Sequence, residues 1–234
     1  MNLIQDILKK YPVRDWLIGY IHDVNLEYFA KRYIKGILID IGCGVKPYKG
    51  IMSTLVSEHV GVDHVDGMHS KDNVDLMGTA YSIPCENARF DSAICTAVLE
   101  HLEEPSDAIA ECGRVLKAGG IAIYSIPHIW NLHEEPRDFF RYTKYGIKHL
   151  FEKNGFEIIE MKPLSGFWIS QGQMFLNYIS AFDRFFLKTL KIFIPIYIFL
   201  QLIFIIFEKI SFLFKRLDNP HKWAWMYMVV ARKK

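Results

Sequence analysis

Cysteine is scarce and scattered: Cys43, Cys85, Cys95 and Cys112 are the four in 234 residues. None forms a C-x-x-C pair, and no His/Cys cluster has zinc-ligand spacing. Cys95 lies inside an apolar run, where a small buried residue is expected rather than a reactive one. A charge excess of one sign is missing as well. The formal net charge is +2, so the basic surplus of a nucleic-acid-binding surface is lacking and no nucleic-acid partner is expected. The first residues, Met1–Asp6, carry an early acid and no sustained apolar core, which argues against a signal peptide. A reducing, cytoplasmic setting is the default expectation.

What is present is a chain able to build a large core. Hydrophobic residues make up 51% and charged residues 23%, which speaks against wholesale disorder. The length suits one large α/β domain rather than two. From Val13 to Lys35, apolar and charged positions recur at helical spacing, with Trp16, Ile18, Ile21, Leu26 and Phe29 available for one face. Short β-branched or apolar runs predict strands over Ile37–Ile41, His59–Asp63, Phe90–Thr96, Ile121–Ile126, Phe156–Met161 and Met226–Ala231. Pro105 to Lys117 reads as a helix closed by Gly119-Gly120, and Thr143 to Asn154 as one capped by Thr143. Strands alternating with helices predict a parallel sheet with helices on both faces.

The run Asp40-Ile41-Gly42-Cys43-Gly44 follows directly on a strand. Glycines there let the backbone turn sharply and approach a ligand that a Cβ would exclude. Asp63 closes the next strand, where a carboxylate can accept ribose hydroxyls of a nucleoside. A pyrophosphate-binding loop wants a third glycine; here Pro47 follows Gly42 and Gly44, which moves the reading away from dinucleotides.

The ordered set Asp40-x-Gly42-x-Gly44, Gly61-Val62-Asp63, Phe90–Ile94, Leu99-Glu100-His101 and Arg114–Gly120 resembles the motifs of class I methyltransferases, particularly the type-11 family, over roughly Gly36 to Pro127. The resemblance implies a Rossmann-like sheet, mostly parallel with an antiparallel last strand, that binds S-adenosyl-L-methionine. It also implies Gly42, Cys43 and Gly44 beneath the methionine moiety, Asp40 near its amino group and Asp63 on the ribose. Gly78-Thr79-Ala80 would flank the adenine, Thr79 standing where the family often has an acid, and Cys95 and Thr96 would face the methionine part. Asp91, though inside a motif, is expected to support the strand. On this reading residues 1–35 form an N-terminal helical segment and 36–165 the cofactor-binding core. Residues 166–220 form an apolar helical insertion, and 221–234 close the sheet.

Methyl transfer requires an in-line approach, and a base only where the acceptor must lose a proton. Pro127–Tyr142 is dense in titratable and aromatic groups after the fifth strand. His128 or His133 is the candidate base there and Arg141 the candidate clamp for an anionic group; His101 is a weaker alternative. A solvated charged turn is the plain alternative for this segment. No metal is expected, because His128 and His133 do not have the i, i+4 helical spacing of a zinc motif.

From Ile192 to Phe207 there is no charged residue. As a helix this stretch would be about 24 Å long, short of a ~30 Å hydrocarbon core, and Pro195 is expected to interrupt it. The last strand must rejoin the sheet, so the segment has to return. Lys188 and Lys191 before it and Lys209, Lys215 and Arg216 after it suit an anionic membrane surface. Peripheral contact through 185–214 is therefore expected; a buried helix pair or a homodimer interface is the alternative. The acceptor is then a small or lipid-linked molecule. The competing function is a membrane-associated protein of the same fold that binds cofactor without transferring anything.

Overall fold

The computed structural model describes residues 11–65, 72–186, 193–213 and 219–234. Met1–Asp6, Lys188, Lys191, Lys215 and Arg216, on which sequence expectations rested, lie outside the described residues.

A helix α1 (Trp16–Tyr33) precedes strand β1 (Ile37–Ile41), and a short helix α2 (Lys49–Met52) leads to β2 (Glu58–Asp63). Then come β3 (Leu76–Met77), β4 (Phe90–Thr96), a 3-10 turn (Leu99–His101), α3 (Pro105–Val115) and β5 (Leu116–Pro127). Next are α4 (Lys144–Lys153), β6 (Phe156–Pro163), α5 (Phe167–Phe186), α6 (Phe193–Leu213), α7 (Pro220–Trp223) and β7 (Met226–Lys233). The seven strands form one sheet in the order β3-β2-β1-β4-β5-β7-β6. Strands β1 to β5 pair in parallel, and β7 runs antiparallel to β5 from Ile121↔Arg232 to Pro127↔Met226. The expected mixed sheet is therefore present.

Two compact units divide the chain. The larger comprises Leu26–His128, Leu132–Lys162 and Met226–Lys234; the smaller comprises Met1–Asn25, Ile129–Asn131 and Pro163–Trp225.

In the larger unit, the central strands are buried as parallel strands must be: Leu38, Ile39, Ala93, Ile94 and Ile123 are fully enclosed. Leu26 and Phe29 of α1 are enclosed too. The Thr143 hydroxyl caps α4 by accepting from Gly146 N–H at 3.1 Å. Helix α3 stops at Val115, two residues before the expected end at Lys117. The reason is Leu116, which turns extended (φ −76°, ψ 144°) and buries itself beside Phe90 in the sheet. Asp91 behaves as the support expected of it. Its Oδ2 accepts from Ile37 N–H at 2.9 Å and its Oδ1 pairs with Lys117 at 2.7 Å, tying β4 to the start of β1.

In the smaller unit, α5 and α6 pack side by side. Trp168 stacks 4.8 Å from Phe207 and donates to Ser211 Oγ at 2.7 Å. At Gly172 a Cβ would sit 2.3 Å from Phe204, so the close approach needs glycine. Glu208 is buried, and its carboxylate accepts the N–H of Gly166 and, at 3.2 Å, that of Ile169, at the start of α5. Gln201, within the uncharged run, donates to the carbonyls of Val13 at 3.0 Å and Arg14 at 2.8 Å.

Two expectations about the apolar segment change. Pro195 stands in the first turn of α6, where a missing N–H costs nothing, and so does not interrupt it. The helix is also longer than the uncharged run. Ile194–Leu213 has 20 residues, a mean hydropathy of 2.0 and only 17% of its apolar window buried. By length and composition alone it could cross a membrane.

Candidate cofactor site

The site begins where β1 ends. Gly42 (φ 70°) and Gly44 (φ 50°) adopt the left-handed conformation that glycine alone reaches cheaply. A Cβ on Gly42 would meet Val98 Cγ2 at 2.4 Å, so the loop approaches the segment after β4 as closely as backbone allows. The N–H groups of Gly42 and Cys43 donate to Val62 O at 2.9 and 3.1 Å, fixing the turn against β2. Asp63 is oriented from both sides: Gly44 N–H donates to Oδ2 at 2.8 Å and His64 N–H to Oδ1 at 2.7 Å.

Two adjoining cavities open over this loop, both within the larger unit. One, of about 290 Å³, is lined by Asp63, Thr79, Ala80, Tyr81, His101 and Phe139 among others. The second, of about 620 Å³, is lined by Asp40, Cys43, Gly44, Pro47 and Thr96 among others. Gly42, Asp63, Val98, His101, Leu102 and Arg137 belong to both. These volumes lie in the range of small-molecule sites. The position is where open α/β sheets place ligands, at the carboxyl ends of β1 and β4, on either side of which the strand order runs in opposite directions.

Of the residues the sequence pointed to, Asp40, Gly42, Cys43, Gly44, Asp63, Thr79, Ala80 and Thr96 all line one cavity or both. Cys95 does not. It is 2% exposed inside β4, and burial raises its thiol pKa far above the usual value. Side chains alternate along a strand, so Cys95 and Thr96 cannot both face one ligand. Cys43 lines the site but is inert, its thiol pushed up to about 12 by burial.

Beneath the loop lies a buried charged group. Asp40 accepts from His59 Nε2 at 3.1 Å, and burial pushes its carboxyl pKa up. Lys46 donates to Asp75 and, at 3.1 Å, to His59 O. Asp75 in turn accepts Gly61 N–H at 2.6 Å. Gly61 has to be small here, because a Cβ would lie 2.3 Å from Lys46 Cε.

The segment after β5 sorts differently from expectation. His128 leans on Tyr227 with ring centroids 5.6 Å apart and lines neither cavity. Arg141 is paired with Asp138 through two bonds of 2.6 and 2.7 Å, so its charge is matched there, and it lines neither cavity. That guanidinium holds the Asp138 carboxyl well below the usual range. The arginine at the cavities is Arg137. His133 is half-buried, its imidazole pKa lowered by burial, and its ring lies 4.7 Å from that of His101. His101, the weaker alternative on sequence, is the histidine that reaches both cavities. Val98, Leu102 and Phe139 also line the site without having been singled out one by one; Val98 and Leu102 flank the Leu-Glu-His motif, and Phe139 lies in the dense segment Pro127–Tyr142.

The comparisons with known proteins agree with this geometry. The methyltransferase-domain family model matches residues 39–124. A protein of Mycolicibacterium smegmatis named "Probable S-adenosylmethionine-dependent methyltransferase" is 26% identical over 154 residues, 62% of this chain and 57% of that one. The ubiquinone biosynthesis O-methyltransferase of Alkalilimnicola ehrlichii is 25% identical over 150 residues, 56% of this chain and 58% of that one. These matches thus span less than two thirds of either relative. The solved structure of the 4+2 cyclase SpnF shares the fold at a TM-score of 0.58 with 18% identity, over 93% of this chain and 83% of that one. A glycine turn closed to any Cβ, an oriented acid after β2 and the matched domain fit S-adenosylmethionine as cofactor, and residues 39–124 are a methyltransferase domain similar to those of S-adenosylmethionine-dependent methyltransferases.

Proposed function

We propose that this protein methylates a hydroxyl group of a small or lipid-linked acceptor at a membrane surface. The observation that carries the methyl-transfer part is the pair of cavities meeting at Gly42 and Asp63. Asp63, with Thr79 and Ala80 nearby, would hold the nucleoside end of S-adenosylmethionine; Gly42, Gly44 and Thr96 would hold the methionine end. Bound there, S-adenosylmethionine supplies a methyl group on a sulfonium, so its carbon–sulfur bond breaks as the acceptor's oxygen–carbon bond forms. The chain's part is chiefly to hold the acceptor in line and exclude water. A hydroxyl acceptor must also lose its proton; His101, Glu134 and Glu135 are among the titratable groups that line the cavities, and Glu100 and His133 stand next to His101. The relative named for O-methylation in ubiquinone biosynthesis supports oxygen as the acceptor atom.

The membrane part rests on α6, whose Phe199, Leu202, Ile206, Ile210 and Leu213 are exposed. Such a contiguous apolar face is uncommon on a soluble surface. Incubating the protein with methyl-labelled S-adenosylmethionine and fractionated extract tests both parts. Label is expected in the lipid fraction. Label only in water-soluble products would remove the lipid-linked acceptor, and no label despite bound cofactor would remove methyl transfer.

A further inference from the structure

The 3-10 turn after β4 presents Glu100 and His101, and the segment after β5 brings His133 to them. Glu100 Oε1 lies 3.9 Å from His101 Nε2 and 4.0 Å from His133 Nε2. One donor atom from each of the three lies within 4.8 Å of the others. The outer ring nitrogens are already engaged. His101 Nδ1 is 2.5 Å from the Arg137 carbonyl, which can only accept, so the proton sits on Nδ1 and Nε2 keeps its lone pair. His133 Nδ1 is 3.2 Å from Asp138 Oδ2, a carboxylate that can likewise only accept. Arg141 Nη2 also lies 3.3 Å from that ring nitrogen, but donates to Asp138 Oδ2 at 2.7 Å.

Three acceptors therefore face one another with no donor between them. Glu100 is 1% exposed and its Oε2 has no hydrogen-bond partner. Burying a carboxylate this way is costly unless a proton or a cation is shared.

We propose that Glu100, His101 and His133 bind a divalent first-row transition ion through the Glu100 carboxylate and the two Nε2 atoms. Two imidazoles and one carboxylate suit Zn²⁺, Co²⁺ or Fe²⁺ over Mg²⁺. The Arg137 carbonyl and the Asp138 carboxylate hold the outer ring nitrogens as second partners of metal-bound histidines do. Donors at ~2.1 Å from an ion stand roughly 3–3.6 Å apart, so side-chain adjustments of under about 1 Å close the site. Spacing along the chain pointed away from a metal because the ligands come from two segments. His101 also lines both cavities, so the ion would adjoin the acceptor. Resting on the proposed methyl transfer, this favours an acceptor whose hydroxyl can ionise at a metal.

Titrating the chelator-treated full chain with Co²⁺, followed by visible absorption and by the imidazole proton resonances, tests the site. One equivalent is expected to bind and to shift the His101 and His133 resonances. His133→Ala and Glu100→Gln should each weaken binding at least tenfold, and His128→Ala should leave it unchanged. The resonance shifts need no variant, so the test survives if a variant misfolds. No stoichiometric binding, a preference for Mg²⁺, or unshifted His101 and His133 signals would overturn the site and indicate a proton-sharing cluster. Binding of S-adenosylmethionine, measured alongside without metal, would still stand and keep the two proposals distinct.

Discussion

At the residue scale, Gly42 carries two independent demands, a φ of 70° and the absence of a Cβ beside Val98. A left-handed non-glycine residue costs about 1–2 kcal/mol, and the clash with Val98 adds to it. Gly42→Ala is expected to lower affinity for S-adenosylmethionine at least tenfold and to lower the melting temperature. The Gly42→Ala/Val98→Ala double variant should recover only the steric part, as calorimetry and thermal unfolding would show. Asp91 gives a prediction with a sign. Its carboxyl is held below the usual range by Ile37 N–H and by Lys117. The stabilisation is thus present above the ordinary carboxylate pKa and is lost as pH falls through the depressed one. Asp91→Asn should cost about 1–2 kcal/mol at neutral pH, and denaturant titrations should find that gap closing in acid. The structural role of Asp91 was an expectation of the resemblance, since an acid at that motif position more often supports the strand. Sequence could not show that Arg141 is matched to Asp138 while Arg137 reaches the cavities, since both arginines sit in the same charged stretch.

At the element scale, β1 and β4 were legible because continuous apolar runs between turn residues read as buried strands. The two-residue β3 is too short for any period to show. The end of α3 was misplaced because Leu116 fits a helix locally and a strand globally, and burial beside Phe90 decides it. For α6 the apolarity was legible in the residues and the orientation was not. The structure turns Gln201 to the carbonyls of Val13 and Arg14 and Glu208 to the start of α5. Lys209 apart, the exposed face is therefore largely apolar. Replacing Phe199, Leu202 and Ile206 together by serine is expected to cut partition onto anionic vesicles at least tenfold while leaving thermal stability nearly unchanged. Glu208→Ala should do the reverse, destabilising the unit by about 1–3 kcal/mol through unsatisfied N–H groups. Equal partition of the triple variant and the parent would remove the membrane contact.

At the scale of the whole molecule, the β3-β2-β1-β4-β5-β7-β6 order puts β1 and β4 at the centre, with the glycine loop and the Leu-Glu-His turn at their carboxyl ends. Fold alone does not fix chemistry, as a shared fold with a cyclase illustrates. What distinguishes this chain is the loop closed to a Cβ together with Asp63 held by the N–H groups of Gly44 and His64. Calorimetric titration of the full chain with S-adenosylmethionine, beside Asp63→Ala, tests that combination most directly. One site per chain is expected, with affinity falling at least tenfold in the variant while its unfolding temperature stays close to the parent's. An undetectable heat for the parent, or equal affinity for both proteins, would contradict it.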